Sequence, residues 1–147
     1  MKRLVYFAVA VFAALFMASA CNEKDEVQHR IVGEWKYVDE ESGNDLDIRV
    51  AFNLDSTFDL YQKVGEGPHY LYKGKYNFDG QVLTGTYSDY TPWAHDYNVT
   101  KSNGSLTLTS VAAPDYSITF KKEAIPQSVR THYMPVTKSE GVAPAVL

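Results

Sequence analysis

Side chains that could carry out catalysis or hold a metal are spread thinly along this chain of 147 residues. The four histidines lie far apart, and no two have the short spacing that metal ligands on one element require. Acidic residues cluster between positions 40 and 47, around a predicted hairpin loop, where a solvated surface is their ordinary place. No nucleophile motif, phosphate loop or paired-carboxylate pattern is present. We therefore predict no enzyme activity, no catalytic residues, no metal site and no cofactor.

Aromatic residues are the most suggestive group in the sequence, because many of them cluster between positions 70 and 97. One interpretation is that the rings fill the interior and rim of a β-structure, where aromatics are favoured and bury large areas. The other is a pocket or platform in which ring faces contact a small ligand while hydroxyl groups orient it. The residues of that predicted ligand site are Tyr72, Tyr76, Trp93 and Tyr97.

From Val32 to Lys122, apolar residues recur at every second position, which is typical of β-strands. These strands must position the aromatic residues. Turn signals such as Asp79-Gly80 separate the runs, and no stretch here offers ten residues of helical periodicity. We predict eight short antiparallel strands, one of them over residues 93–99. Closure into an up-and-down eight-stranded barrel removes the exposed edges of an open sheet, so an all-β barrel is the expected fold. A two-sheet β-sandwich is the alternative.

The N-terminus is typical of an export signal, with Lys2-Arg3 followed by an unbroken apolar run from Leu4 to Ala18. Small residues end the run, which is short for a membrane span. The sequence Ala18-Ser19-Ala20-Cys21 resembles the lipobox of bacterial lipoproteins. That resemblance implies cleavage before Cys21, lipid attachment to it, and an outer-membrane location on the periplasmic or surface-exposed face. Ordinary signal-peptide cleavage, which leaves Cys21 without lipid, is the alternative.

We divide the chain into four segments on these patterns. They are a signal peptide over 1–20, a lipidated cysteine with an acidic tether over 21–30, a barrel over 31–122, and a partly disordered extension over 123–147. Prolines interrupt strand pairing in the extension, where a short helix or final strand is predicted at 124–130 and a loose tail from about Lys138.

The net charge and the cysteine content limit which partners and which covalent links the chain can have. The formal net charge is −4, and it becomes more negative when Lys2 and Arg3 leave with the signal peptide. Without a cluster of basic residues, the chain is not expected to bind nucleic acid. The single cysteine excludes a disulfide within the chain.

Several motifs occur in an order that resembles the lipocalin-like domain of many bacterial lipoproteins, a calycin-type barrel. Residues 31–36 are similar to its opening strand, in which Gly33 and Trp35 form the Gly-x-Trp motif. Residues 52–58 resemble its Phe-x-x-Asp-Gly-Thr-Phe hairpin, with Ser56 in place of the glycine. Residues 72–80 resemble its Gly-x-Tyr strand and the turn that follows.

The resemblance covers roughly residues 31–121 and implies a binding or accessory module with no catalytic motif. In lipocalins, the tryptophan of the Gly-x-Trp motif closes one end of the barrel and contacts an arginine from late in the chain. In this sequence these residues would be Trp35 and Arg130, the only late candidate.

The leading functional hypothesis is an outer-membrane lipoprotein that binds a small apolar or amphipathic molecule in its barrel. The alternative is a surface interaction module that recognises a glycan or a protein partner through exposed aromatics. The barrel interior distinguishes them. A void lined by the predicted ligand residues favours the first, whereas a packed interior with exposed Tyr90 and Trp93 favours the second.

Overall fold

A computed structural model describes residues 30–38, 46–140 and 143–147. The predicted signal peptide, Cys21 and most of the predicted tether lie outside these ranges. Among the described residues, no helix has the length and apolar character needed to cross a membrane.

The described residues form nine strands and one short helix. In chain order, the elements are β1 (Gly33–Tyr37), β2 (Leu46–Phe52), β3 (Thr57–Val64), β4 (His69–Phe78), β5 (Val82–Tyr87), β6 (Tyr97–Ser102), β7 (Ser105–Ser110), β8 (Ser117–Lys122), α1 (Gln127–Thr131) and β9 (Tyr133–Pro135).

The first eight strands close into a barrel. Each pairs antiparallel with the next along the chain, and β8 pairs with β1, where Lys122 lies opposite Trp35. The predicted all-β, antiparallel up-and-down barrel is therefore confirmed, and the sandwich alternative is excluded. The architecture is compatible with a lipocalin-like fold.

The strand predicted over 93–99 begins later, at Tyr97. Pro92 has no backbone N–H to donate to a strand ladder, and the N–H of Trp93 donates to the Gly85 carbonyl at 3.0 Å. The chain therefore turns across β5 instead of continuing along it. As a result, β5 and β6 pair over only two positions, Val82 with Asn98 and Leu83 with Tyr97.

The barrel has two different ends. We call the end at which β1 begins the lower end and the opposite end the upper mouth. At the lower end Trp35 is fully buried, and its Nε1 donates to the carbonyl of the equally buried Ile31 at 2.9 Å. The lower end is thus closed by the chain segment that precedes β1. The loops at the upper mouth that the structure describes in full are residues 65–68, 88–96 and 111–116.

The cation next to the Trp35 ring is a lysine of β6 and not the expected Arg130. Arg130, the arginine expected opposite this ring, forms an ion pair with Glu34 instead. The ammonium group of Lys101, on β6, lies 5.7 Å from the centre of the Trp35 ring. Arg130 therefore attaches the C-terminal extension to β1 through Glu34.

The extension first covers one outer face of the barrel. Ile125 and Val129 bury the outward-facing side chains of β2, β3 and β4, namely Ala51, Tyr61 and Leu71. The helix expected at 124–130 is α1, and β9 then pairs in parallel with the start of β4. This path brings the extension from the lower end of β8 to the upper mouth.

Candidate functional site

The middle of the barrel is filled by the ring of Trp93, which is only 6% exposed. It makes edge-to-face contacts with Phe58 and Phe52 at centroid distances of 5.2 and 6.4 Å. Gly85 makes room for it, because a β-carbon at that position would lie 2.1 Å from the indole. The interior at this level is therefore packed with side chains.

Three buried tyrosines, Tyr72, Tyr87 and Tyr97, lie between this ring and the upper mouth. Tyr72 and Tyr87 meet edge to face at 6.2 Å, and Tyr97 lies 6.3 Å from Trp93. Burial is the main reason that the pKa of each tyrosine is raised above its ordinary value. At neutral pH all three are neutral phenols that can donate a hydrogen bond.

Residues 143–147, which we call the mouth segment, lie against these tyrosines. Val146 and Leu147 are 4% and 3% exposed and belong to the main apolar core. The Tyr87 hydroxyl donates to the Leu147 carbonyl oxygen at 2.9 Å. The sequence led us to expect a loose tail from about Lys138, but the mouth segment is seated in the barrel. Its small and proline-containing sequence gave no periodic pattern from which this packing could be predicted.

Gln62 of β3 holds the other half of the mouth segment. Its side chain is 1% exposed on the inward face of the barrel. Its Nε2 donates to the Ala143 carbonyl oxygen at 3.3 Å, and its Oε1 accepts from the Ala145 N–H at 2.6 Å. Our sequence reasoning missed Gln62 and Tyr87 as site residues. The available signal for Gln62 was its alternation with Phe58 and Leu60, which places a polar amide at an inward position.

Two buried polar atoms of the barrel interior have no hydrogen-bond partner among the described residues. They are the indole Nε1 of Trp93 and the hydroxyl of Tyr97. The backbone N–H of Leu147 lies near the Tyr97 hydroxyl and opposes the rise of its pKa, which burial causes. The pair does not reach hydrogen-bond geometry, so the Tyr97 hydroxyl remains unpaired.

The structure brings together three of the four predicted ligand residues. The Trp93 ring in the middle of the interior lies below Tyr72 and Tyr97, which are nearer the upper mouth. Tyr76 is directed towards the lower end, where its hydroxyl donates to the Asn53 carbonyl at 2.7 Å, and burial raises its pKa to about 12. Tyr90 is 89% exposed, whereas Trp93 is buried, so the two do not form the shared exposed face considered above.

A charged cluster lies on the side of the barrel. Arg49, although almost buried, contacts Asp47 and Glu123, each at 3.1 Å, and Asp47 also lies 2.8 Å from His69. Burial alone would raise the pKa of Asp47, but its hydrogen bonds to His69 and Arg49 outweigh burial and lower it. The cluster links β2, β4 and the start of the extension. No group of metal-binding side chains occurs in the part of the chain that the structure describes.

Comparison of the chain with protein-family models, curated proteins and solved structures gives no match. The class of the protein therefore rests on the geometry given above. It is a closed eight-stranded up-and-down barrel, closed below by the segment before β1, with a packed middle and an upper mouth occupied by its own chain.

Proposed function

We propose that this protein is a lipid-anchored, non-enzymatic binding protein whose upper mouth takes a small apolar or amphipathic ligand. The observation that supports this most is that the indole Nε1 of Trp93 and the hydroxyl of Tyr97 are buried with no hydrogen-bond partner in the described part of the chain. A buried donor without a partner destabilises a protein by about 1–3 kcal/mol. A ligand that brings an oxygen acceptor to this place would remove that penalty while its apolar part contacts the rings.

The walls of the mouth determine the kind of ligand. Tyr72, Tyr87 and Tyr97 line the mouth with their rings, and the neutral hydroxyl of Tyr97 has no hydrogen-bond partner among the described residues. Contacts of this kind without an ion pair support moderate binding, at a Kd of roughly micromolar or about −8 kcal/mol. Binding should also depend little on salt, because screening acts mainly on charged pairs.

The test is a titration of the full mature chain with panels of fatty acids, aromatic compounds and oligosaccharides. Tryptophan fluorescence monitors binding. We expect saturable binding of a fatty acid or an aromatic compound. Tyr97→Phe, which removes only the unpaired hydroxyl, should weaken it, whereas the matched change Tyr116→Phe on the exposed rim should not. Absence of binding across all panels would contradict the proposal.

A surface interaction module is the second candidate, and the conformation of Tyr90 favours it. This side chain is 89% exposed on a backbone with a φ of 66°, which non-glycine residues seldom adopt. Val64 and Val111 are also exposed at the upper mouth. Saturable binding of an oligosaccharide that is lost in Tyr90→Ala, but unaffected by Tyr97→Phe, would favour this function.

A further inference from the structure

The mouth segment is held through its backbone, as a bound peptide would be. The Gln62 amide contacts the carbonyl of Ala143 and the N–H of Ala145, and the Tyr87 hydroxyl contacts the carbonyl of Leu147. These contacts fall on alternate residues and involve no side-chain polar group of the segment. They would therefore be available to other apolar peptides of the same length.

The groups that hold the mouth segment, Gln62 and Tyr87, belong to the strands of the barrel. Gln62 is almost fully buried among apolar side chains, and within the described residues both hydrogen bonds of its amide go to the mouth segment. A buried amide is strongly destabilising when unpaired. With the mouth segment in place, Gln62 therefore supplies a donor and an acceptor to the extended backbone beside it.

We propose that the upper mouth is a binding site for short apolar peptides, and that residues 143–147 are its intramolecular occupant. This inference rests on the proposed function, since it names the ligand class for the same mouth. Val146 and Leu147 belong to the same apolar core as Trp93, and the backbone N–H of Leu147 lies near the Tyr97 hydroxyl, which has no hydrogen-bond partner among the described residues. A peptide with a further acceptor can pair with groups that the resident segment leaves unsatisfied.

Tethering determines how the site behaves in the intact chain. A segment joined to the barrel by a short linker competes at an effective concentration in the millimolar range. A free peptide of similar intrinsic affinity will therefore bind the wild-type chain poorly. Weakening the segment alone should expose the site without altering the residues that line it.

The experiment uses the full mature chain and a fluorescently labelled synthetic peptide with the sequence of residues 138–147. In Ala145→Pro, the segment loses the N–H that Gln62 accepts, with no change of charge. In the double variant Val146→Asp with Leu147→Asp, the buried apolar contacts become unfavourable. Both variants should bind the peptide at least about tenfold more tightly than the wild type in fluorescence anisotropy.

Two controls separate peptide recognition from general exposure of apolar surface. Val64→Asp with Val111→Asp adds the same charge at exposed positions of the upper mouth and should leave peptide binding at the wild-type level. Adding Tyr87→Phe to the Ala145→Pro chain removes the hydroxyl that donates to the Leu147 carbonyl. This change should lower the affinity for the peptide by about tenfold, as expected for the loss of one hydrogen bond.

The outcomes also distinguish this inference from the proposed function. If the variants melt cooperatively and bind a fatty-acid probe but not the peptide, the inference is overturned and the proposed function stands. If they bind neither, both are overturned. If both segment variants lose cooperative melting, the mouth segment is an integral part of the core, and its role as an exchangeable occupant is overturned. Size-exclusion chromatography tells whether a second copy supplies the peptide, because exchange between copies would produce dimers.

Discussion

The position of the Trp93 ring depends on the absence of a side chain at Gly85. The indole packs directly onto this glycine, and the Trp93 N–H bonds to the Gly85 carbonyl at 3.0 Å. Gly85 lies on the inward face of β5, between the buried residues Leu83 and Tyr87. One missing β-carbon thus allows a loop residue to fill the barrel where a strand residue would ordinarily do so.

Gly85→Ala should lower the free energy of unfolding by about 1–3 kcal/mol, as expected for overpacking of a core. The added methyl group would lie 2.1 Å from the indole unless the ring moves. Urea denaturation of the variant provides the measurement. In a Trp93→Ala background the same change should have a much smaller effect, because the clash is absent. An equal loss in both backgrounds would show that Gly85 is required for another reason.

At the scale of elements, β1 carries the closure of the lower end. It pairs with both β2 and β8, and its central residue Trp35 joins the barrel to the preceding segment through Ile31. Glu34, on the other side of the same strand, receives Arg130 and the Ile125 N–H from the extension. One short strand thus connects the start and the end of the domain.

Trp35→Ala should lower the free energy of unfolding by about 3–5 kcal/mol, because it removes a fully buried aromatic side chain. Denaturant titration checks this value. Lys101→Met, which removes only the cation above the ring, is the matched control and should cost no more than about 1 kcal/mol. A loss below about 1 kcal/mol for Trp35→Ala would mean that the lower end does not depend on this ring.

The strands could be predicted from the sequence because one face of each is buried, which enforces an alternation of apolar and polar residues. The start of β6 could not, because Trp93 and Tyr97 continue the alternation although Pro92 and Gly85 direct the chain inward. Of the candidate site, the aromatic residues were visible in the sequence. The mouth segment was not, since backbone contacts to Gln62 leave no pattern in residue types.

At the scale of the whole molecule, the interior is rich in tyrosine hydroxyls that ionise with difficulty. Burial raises the pKa of Tyr72, Tyr76, Tyr87 and Tyr97 above the ordinary value of 10.0, to about 12 for Tyr76. The unfolded chain loses these protons more readily than the folded chain. The contribution of these tyrosines to the free energy of unfolding is therefore fully present below pH 10. It is lost as the pH rises towards the pKa values that the tyrosines have in the folded chain.

Alkaline pH should therefore unfold the barrel, with the free energy of unfolding falling steadily above pH 10. Urea denaturation at a series of pH values measures the slope, and ultraviolet difference spectra follow ionisation of the phenols. Tyr76→Phe should reduce the slope, because it removes one of the phenols whose pKa burial raises. Ionisation of all tyrosines before any unfolding would contradict the expected burial.

Anchoring through Cys21 is a prediction from the lipobox-like sequence and lies outside the described residues. The native protein should partition into detergent and yield an acylated N-terminal peptide that begins at Cys21. Cys21→Ala should release a soluble form, since stable attachment requires the acyl chains. A soluble wild-type protein with a free thiol would show ordinary cleavage instead. The described chain enters the barrel through Ile31 at the lower end, opposite the upper mouth.

The position of the mouth segment near the end of the sequence has a consequence for the order of events during synthesis. Its binding groups come from β3 and β5, which are made long before residues 143–147. Until residues 143–147 have been synthesised, a barrel in which β8 pairs with β1 lacks the segment that these groups bind. During that interval, molecules in the surrounding compartment can reach the site before the chain's own residues do.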